Sequence, residues 1–319
     1  MTQAIEFPAE SLAGRGAAPL QVVVGFSPGS ASDDIANLMA PAIGRESGRA
    51  VEIHRIQGED GARAARFVAA SKDADVLMIA TLGTHALLPN AQPDAGYDPI
   101  EDFTPVILLA QAPMILATGA SSPYRTLGDV LAACRAGPGR RSFAASATVG
   151  APFLATQLFS RKAHIDLNTV IYDQTNELYA DLAAGRVDFS FNNLMSMLPR
   201  IRRGELHALA VTSPTRIPLL PDVPSVAEMG MPDCVVLNWL GLVGSKSLPS
   251  QRAEMLNAAC RSALASGEIA SALEQSGLSS TPGSADGFGR FMHAERVRWD
   301  ALSNVGADEL GSVAILSQS

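Results

Sequence analysis

Lysine is almost missing from this 319-residue chain, occurring only at Lys72, Lys162 and Lys246. Arginine carries nearly all of the basic charge, and the net charge is −8. That balance argues against a nucleic-acid binder. No basic run is dense enough to suggest a membrane surface. Charged residues make up 18% of the chain and hydrophobic ones 47%, which is globular rather than disordered composition. Cysteine is scarce too. Cys134, Cys234 and Cys260 are far apart, form no Cys-x-x-Cys pair and are odd in number. Cys134 and Cys260 fall on apolar faces of expected helices, where buried free thiols are usual.

Other absences narrow the chemistry. The chain has no Gly-x-Gly-x-x-Gly and no Walker loop, so no nucleotide site is expected. Its five histidines, His54, His85, His164, His207 and His293, have no metal-ligand spacing. Neither a metal nor a cofactor is therefore expected. No segment is long and apolar enough to span a bilayer. Residues 1–18 lack the apolar and basic regions of a signal peptide and are expected to be poorly ordered. Either the protein is cytoplasmic or its export signal lies outside this sequence.

What is present begins with Val22-Val23-Val24-Gly25-Phe26-Ser27-Pro28-Gly29-Ser30-Ala31-Ser32-Asp33. A β-branched run stops at a Pro-Gly turn and a helix starts at once. Ser30 and Asp33 have capping-box spacing. A strand, a tight turn and a helix N-terminus together present free N–H groups and partial positive charge. This loop is the expected ligand cradle.

The pattern alternates strand and helix almost throughout. Leu20–Gly25, Val51–Arg55 and Val76–Ala80 read as strands, with helices over Ser32–Arg45 and Gly61–Ala70. Pro41 should kink the first helix or mark its middle. The apolar runs Val106–Ala110 and Met114–Ala117 are separated by Pro113. After Gly137-Pro138 the alternation restarts and continues to Thr212. A Pro-rich stretch, an extended apolar run at Val235–Val243 and a helical C-terminal region follow. This order predicts two α/β lobes with parallel sheets covered on both faces. The helical C-terminal run has no sheet of its own and should pack back on the first lobe. Residues 19–112 with 235–319 would form one lobe and 113–234 the other. The two crossings would act as a hinge around an interlobe cleft.

Gly25-Phe26-Ser27-Pro28-Gly29 also fits the Gly-x-Ser-x-Gly elbow of serine hydrolases. Two features oppose Ser27 as a nucleophile. The next residue must donate its N–H to an oxyanion, and Pro28 has none. The motif also follows the first strand rather than a later one. Other polar strand ends are Thr81-Leu82-Gly83-Thr84-His85, Ala145-Ser146-Ala147-Thr148, Tyr172-Asp173-Gln174-Thr175 and Phe191-Asn192-Asn193. Ligands of α/β sheets sit at such ends, although strand ends are ordinarily polar turns.

At this point the chain resembles the solute-binding receptors of tripartite tricarboxylate transporters, the Bug receptors. The resemblance rests on Phe26–Asp33, Tyr97-Asp98-Pro99, Asp102-Phe103-Thr104-Pro105-Val106 and Leu182–Asp188. Its best match is Gly204–Ser213 followed by Leu220–Glu228. It runs from about Leu20 to the C-terminus. It implies a two-lobed periplasmic-binding-protein-like α/β fold, type II-like, with the ligand in the interlobe cleft. It also implies a periplasmic, non-catalytic receptor, usually a monomer, for a small carboxylate or related amide. Partners would be membrane transporter components or a sensor protein. Carried over by position, the ligand contacts include Phe26, Ser30 and Ser32 in the first loop and Thr84 after the third strand; Ser27, Gly29 and Ala31 are added as members of the same loop, and His85 because it follows a strand's C-terminal end. The second lobe would supply Ser146, Thr148, Tyr172, Asp173 and Asn192.

The second-lobe wall departs most from the family pattern. Asp173 stands where a lysine is usual, and Asn192 where an aspartate is usual. Asp173, with Glu177 one helical turn on, would repel a second carboxylate. This reading expects a ligand with one acidic end and a neutral or cationic other end; the alternative is that both acids point to solvent. The rival functions are a serine hydrolase using Ser27 and a cytoplasmic effector-binding domain. No helix-turn-helix precedes residue 20, which weighs against the latter.

Overall fold

A computed structural model describes residues 18–92, 94–303 and 313–315, with backbone alone at 300–303 and 313–315. The expectation for residues 1–18 falls almost wholly outside the described residues. The first sheet contains β1 (Leu20–Val24), β2 (Val51–Arg55), β3 (Val76–Thr81), β4 (Phe103–Gly119) and β9 (Leu237–Ser245) in the order β2-β1-β3-β9-β4. The second contains β5 (Ser142–Ala145), β6 (Asn168–Ile171), β7 (Phe189–Asn193), β8 (Leu206–Val211) and β10 (Val313–Ile315), and it shares β4.

Neither sheet is wholly parallel. β1, β2 and β3 are parallel, as are β5, β6, β7 and β10. β9 runs antiparallel to β3 and β4, and β4 antiparallel to β7 and β8. The expected parallel sheets are thus mixed ones. The strands that return the chain between lobes must run against those built by strand–helix repeats. β10 pairs with β6, so residues 235–319 do not all lie with the first sheet, as the sequence reading placed them.

Pro113 does not break the apolar run. β4 continues through it for 17 residues, roughly 55 Å at the usual rise. The segment Phe103–Pro113 pairs with β9, and Met114–Gly119 pairs with β7 and β8. Pro113 lies opposite Leu237, where the β9 ladder ends. A residue without an N–H is tolerated where no ladder bond is required of it. Beyond it the Met114 N–H donates to Thr212 Oγ1 at 2.7 Å.

Thr212 connects both crossings. Its N–H donates to the Met114 carbonyl at 2.9 Å, and its hydroxyl donates to the Val236 carbonyl at 2.6 Å. The Val236 N–H donates back to the Thr212 carbonyl at 3.1 Å. Thr212 is buried, so the outgoing strand and the returning segment share one dry hydrogen-bonded junction.

Helices cover the sheets. α1 (Ala31–Ser47), α2 (Ala62–Ala70) and α3 (Leu88–Ala91) belong to the first half. Pro41 sits inside α1, which continues for six residues beyond it. α4 (Leu127–Ala136), α5 (Ala151–Ala163), α6 (Thr175–Ala183) and α7 (Leu194–Arg202) surround the second sheet. α8 (Ser250–Ala265), α9 (Gly267–Gln275) and α10 (Ala285–Ser303) return as expected: α8 packs on α1 and β4, and α10 on β4. Trp239 meets the edges of Phe288 and Phe291 at 5.9 and 5.6 Å between ring centroids. The three cysteines are buried and free. Burial pushes the Cys134 and Cys234 thiols up to about 11 and Cys260 up to about 12. No helix among the described residues is long and apolar enough to cross a membrane.

Replacing the Thr212 hydroxyl by a methyl strands the buried Met114 N–H and Val236 carbonyl. Thr212→Val is expected to lower unfolding free energy by about 1–3 kcal/mol for each group left unpaired, while Thr212→Ser retains most of it. Urea unfolding of the two variants checks this. Equal midpoints for Val and Ser would show that the hydroxyl contributes nothing.

Candidate functional site

The site starts at the C-terminal end of β1. The Ser30 N–H donates to the Ser27 carbonyl at 3.1 Å, closing a turn in which Gly29 has φ +79°. Only glycine takes that backbone conformation without strain. Ser30 caps α1 by accepting the Asp33 N–H at 3.4 Å, and it contacts Ser32 Oγ at 3.2 Å. The Asp33 carboxylate does not return to Ser30, as a full capping box would have it. It accepts the Gly29 N–H at 3.2 Å and the Arg55 Nε–H at 2.6 Å. The buried acid therefore braces the turn from behind and is matched by Arg55 rather than by a ligand. The first N–H groups of a helix have no intrahelical acceptor. Those of Ala31 and Ser32 meet none among the described residues.

A second helix start faces the first. α5 begins after β5 and the Ser146–Gly150 loop, and no side chain caps it. Between the two helix N-termini lies a cavity of about 50 Å³. A space of that size admits a few waters or a carboxylate group. Phe26, Ser30, Ala31 and Ser32 line it from one side, and Ser146, Ala147, Gly150, Ala151 and Pro152 from the other. Thr81, Gly83, Asn193, Asn238 and Leu240 complete the wall. Asn238 Nδ2 donates to Asn193 Oδ1 at 2.8 Å, which fixes both amides.

No acidic or basic side chain lines this cavity. Its field comes from two helix N-termini, each equivalent to about half a positive charge. Hydroxyls and amides supply directional donors. Such a cavity suits a small anion, with no lining side-chain charge for that anion to neutralise. Among the described residues no cluster of His, Cys, Asp and Glu could hold a metal ion.

The two halves of the chain touch around the cavity. Ser27 Oγ lies 3.0 Å from Thr175 Oγ1 and accepts the Thr175 N–H at 3.3 Å. The Thr148 N–H donates to Asp60 Oδ1 at 3.1 Å, and its hydroxyl donates to Asp60 Oδ2. Ser196 Oγ donates to Asp34 Oδ2 at 2.9 Å. Burial pushes the Asp34 carboxyl above its ordinary value, the Ser196 bond opposing the shift. Arg200 beside it donates to the Ser196 carbonyl at 2.8 Å and lies over the Tyr179 ring at 4.1 Å.

The residues singled out in the sequence divide into three groups. Phe26, Ser30, Ala31, Ser32 and Ser146 line the cavity. Ser27, Gly29 and Thr148 lie at contacts between the halves; a Cβ on Gly29 would sit 3.1 Å from Asn176 Oδ1. The others do not line the cavity. Thr84 and His85 are fully buried behind its wall. Tyr172 and Asp173 border a different groove of about 450 Å³, shared with Glu177, Asp181 and Arg186. There the Tyr172 hydroxyl donates to Asp181 Oδ2 at 2.7 Å. The expected repulsion of a second carboxylate by Asp173 and Glu177 therefore loses its basis. Asn192 is buried, and its neighbour Asn193 is the one that lines the cavity. Thr81 and Asn193 stood beside the residues chosen. Asn238 had one signal, a lone amide within an apolar extended run.

A family model described as the tripartite tricarboxylate transporter family receptor matches residues 37–306. A Pseudomonas sp. protein encoded between tcbD and tcbE is 32% identical over 286 residues, covering 89% of this chain and 85% of its own. Two Rhodopseudomonas palustris structures are similar throughout. One, solved with adipate, has a TM-score of 0.86 and 30% identity, covering 91% of this chain and 97% of its own. The other, MatC with bound malate, has a TM-score of 0.85 and 27% identity, covering 90% and 99%.

Burial holds His85 neutral, its pKa pushed down to about 3 from an ordinary value near 6.5. Its stabilising contribution is complete above about pH 6.5 and is lost progressively as pH falls toward 3, because only the unfolded chain takes up the proton. Wild type is expected to lose more stability than His85→Leu between pH 7.5 and 4.5. Urea midpoints at the two pH values measure the difference, and parallel losses would contradict a buried neutral imidazole.

Proposed function

The chain belongs to the tripartite tricarboxylate transporter receptor family, and from that premise we propose that it captures a small carboxylate in the cavity between the α1 and α5 N-termini. The carrying observation is two helix N-termini converging on a cavity lined by no ionised side chain. A carboxylate there receives the free N–H groups of Ala31 and Ser32, with the hydroxyls of Ser30 and Ser146 within the same wall. Asn193 and Asn238 present amides to the remainder of the ligand. The solved R. palustris relatives hold malate and adipate, and both acids carry the group this cavity suits.

The bodies that move are residues 19–112 with the helices following 235, and residues 113–234. They pivot at the Thr212 junction. A ligand drives closure only by binding the closed arrangement better than the open one. Here it does so by touching both helix starts, which come together only when the halves meet. Capture in this form needs no covalent step. Ser27 is engaged by Thr175 across the interface, which suits a closure contact better than a nucleophile. Membership of a transporter receptor family supports a site of action outside the cytoplasm; there the loaded protein, acting as a monomer, delivers its ligand to membrane components.

A thermal-shift series followed by titration calorimetry tests this reading with malate, adipate and their neutral diamides. The acids are expected to raise the melting temperature by mass action, and the diamides are not. Asn193→Leu is expected to weaken binding of the acids by roughly tenfold or more, the worth of one hydrogen bond to a charged group. Equal shifts for acid and diamide would overturn the anion reading.

A further inference from the structure

Behind the cavity wall the chain turns through a π-helical segment, Gly83–Leu87, one residue after β3. π-helical turns are rare and occur often at functional sites. This one carries a hydroxyl–imidazole cluster whose protons can be counted. Thr84 Oγ1 accepts the Thr81 N–H at 3.1 Å and lies 2.9 Å from His85 Nδ1 and 3.2 Å from Thr81 Oγ1. The Thr84 N–H donates to Thr81 Oγ1 at 3.1 Å. The Tyr97 hydroxyl donates to the Thr84 carbonyl at 2.6 Å, holding the segment in place. His85 Nε2 is buried with no hydrogen-bond partner. It sits in aromatic surroundings, with Phe103 edge-on at 4.6 Å and Tyr97 at 6.4 Å between ring centroids. Of the three clustered residues, only Thr81 reaches the cavity.

Two arrangements of protons are possible. If His85 carries its proton on Nε2, that N–H is buried without an acceptor. The Thr84 hydroxyl then donates to Nδ1, and Thr84 Oγ1 is left to accept the Thr81 hydroxyl as well as the Thr81 N–H. If the proton is on Nδ1, His85 donates to Thr84 Oγ1. Together with the Thr81 N–H this fills both lone pairs of that oxygen. The Thr84 proton then goes to Thr81 Oγ1 or its carbonyl, and the Thr81 hydroxyl proton has no acceptor within the cluster. The second arrangement leaves a bare lone pair at Nε2 and one hydroxyl proton on Thr81, which lines the cavity; the first orphans a buried N–H, the rarer and costlier defect.

We propose that His85 is a positioning residue: as the Nδ1–H tautomer it saturates Thr84 and so turns the Thr81 hydroxyl into a donor for an anion in the cavity. The role rests on the carboxylate reading above. His85 acts without touching the ligand, through the direction it imposes on one hydroxyl. Burial keeps the imidazole neutral.

The first test is long-range ¹H–¹⁵N NMR of the whole protein labelled at histidine, at pH 7, with the signal assigned by its loss in His85→Leu. The Nδ1–H tautomer is expected, and a predominant Nε2–H tautomer would overturn the proposal whatever the protein binds. The second is calorimetry with adipate and malate. Thr81→Val is expected to lose roughly 10- to 100-fold in affinity, the range for a hydrogen bond to a charged group, and Thr81→Ser to retain it. His85→Leu should weaken binding in wild type and change nothing further in the Thr81→Val background. Additive losses would sink the relay. If neither acid binds wild type, the carboxylate reading falls and the donor role with it. Binding accompanied by an Nε2–H tautomer removes the relay alone.

Discussion

The junction at Thr212 is the constraint on which the rest of the molecule depends. One strand leaves the first sheet at Pro113 and enters the second at Met114, and the returning segment passes beside it at Val236. A single buried side chain satisfies backbone groups on both. The outgoing strand and the segment that returns at Val236 are thereby held in one dry place. Rigid sheets on either side and a short hydrogen-bonded junction between them are the ingredients of hinge motion. Because β4 belongs to both sheets, any change in the angle between them is concentrated where its ladder changes partners.

The cavity follows from this arrangement. Each half contributes a strand, a loop and a helix N-terminus, and each helix start leaves N–H groups without intrahelical acceptors. Separately these are ordinary anion-friendly ends. Brought face to face they border a cavity of about 50 Å³, and their partial charges add there. Acidic side chains nearby are engaged elsewhere: Asp33 with Arg55, Asp60 with Thr148 and Asp34 with Ser196. Two of these three also cross between the halves, so the contacts that keep carboxylates out of the cavity help to close it.

Legibility in the sequence tracked how local each signal was. The Phe26–Asp33 loop could be read because a β-branched run, a Pro-Gly turn and a cap lie within a dozen residues. The partner of the Asp33 carboxylate was not legible there, because Arg55 arrives from another strand. Pro113 looked like a break because its neighbours in the ladder were invisible. Tyr172 and Asp173 looked like wall residues because they follow a strand, yet the loop after them turns Thr175 and Asn176 toward the first half and leaves the acids beside Arg186. Thr81, Asn193 and Asn238 come from three strands in two sheets, and no spacing along the chain brings them together.

By itself the sequence determined the alternation of strands and helices, the helical return of the C-terminal region and the loop that offers backbone donors at α1. These depend on side-chain period, turn chemistry and capping, all of which act over a few residues. Through its motifs it also determined the family. Tertiary structure alone decided that the sheets are mixed, that β4 serves both, and which of several polar strand ends face the cavity. Those outcomes depend on which strands pair and on how two helix starts meet across a junction. Pairing and meeting are set by burial and hydrogen bonding between residues far apart in the chain.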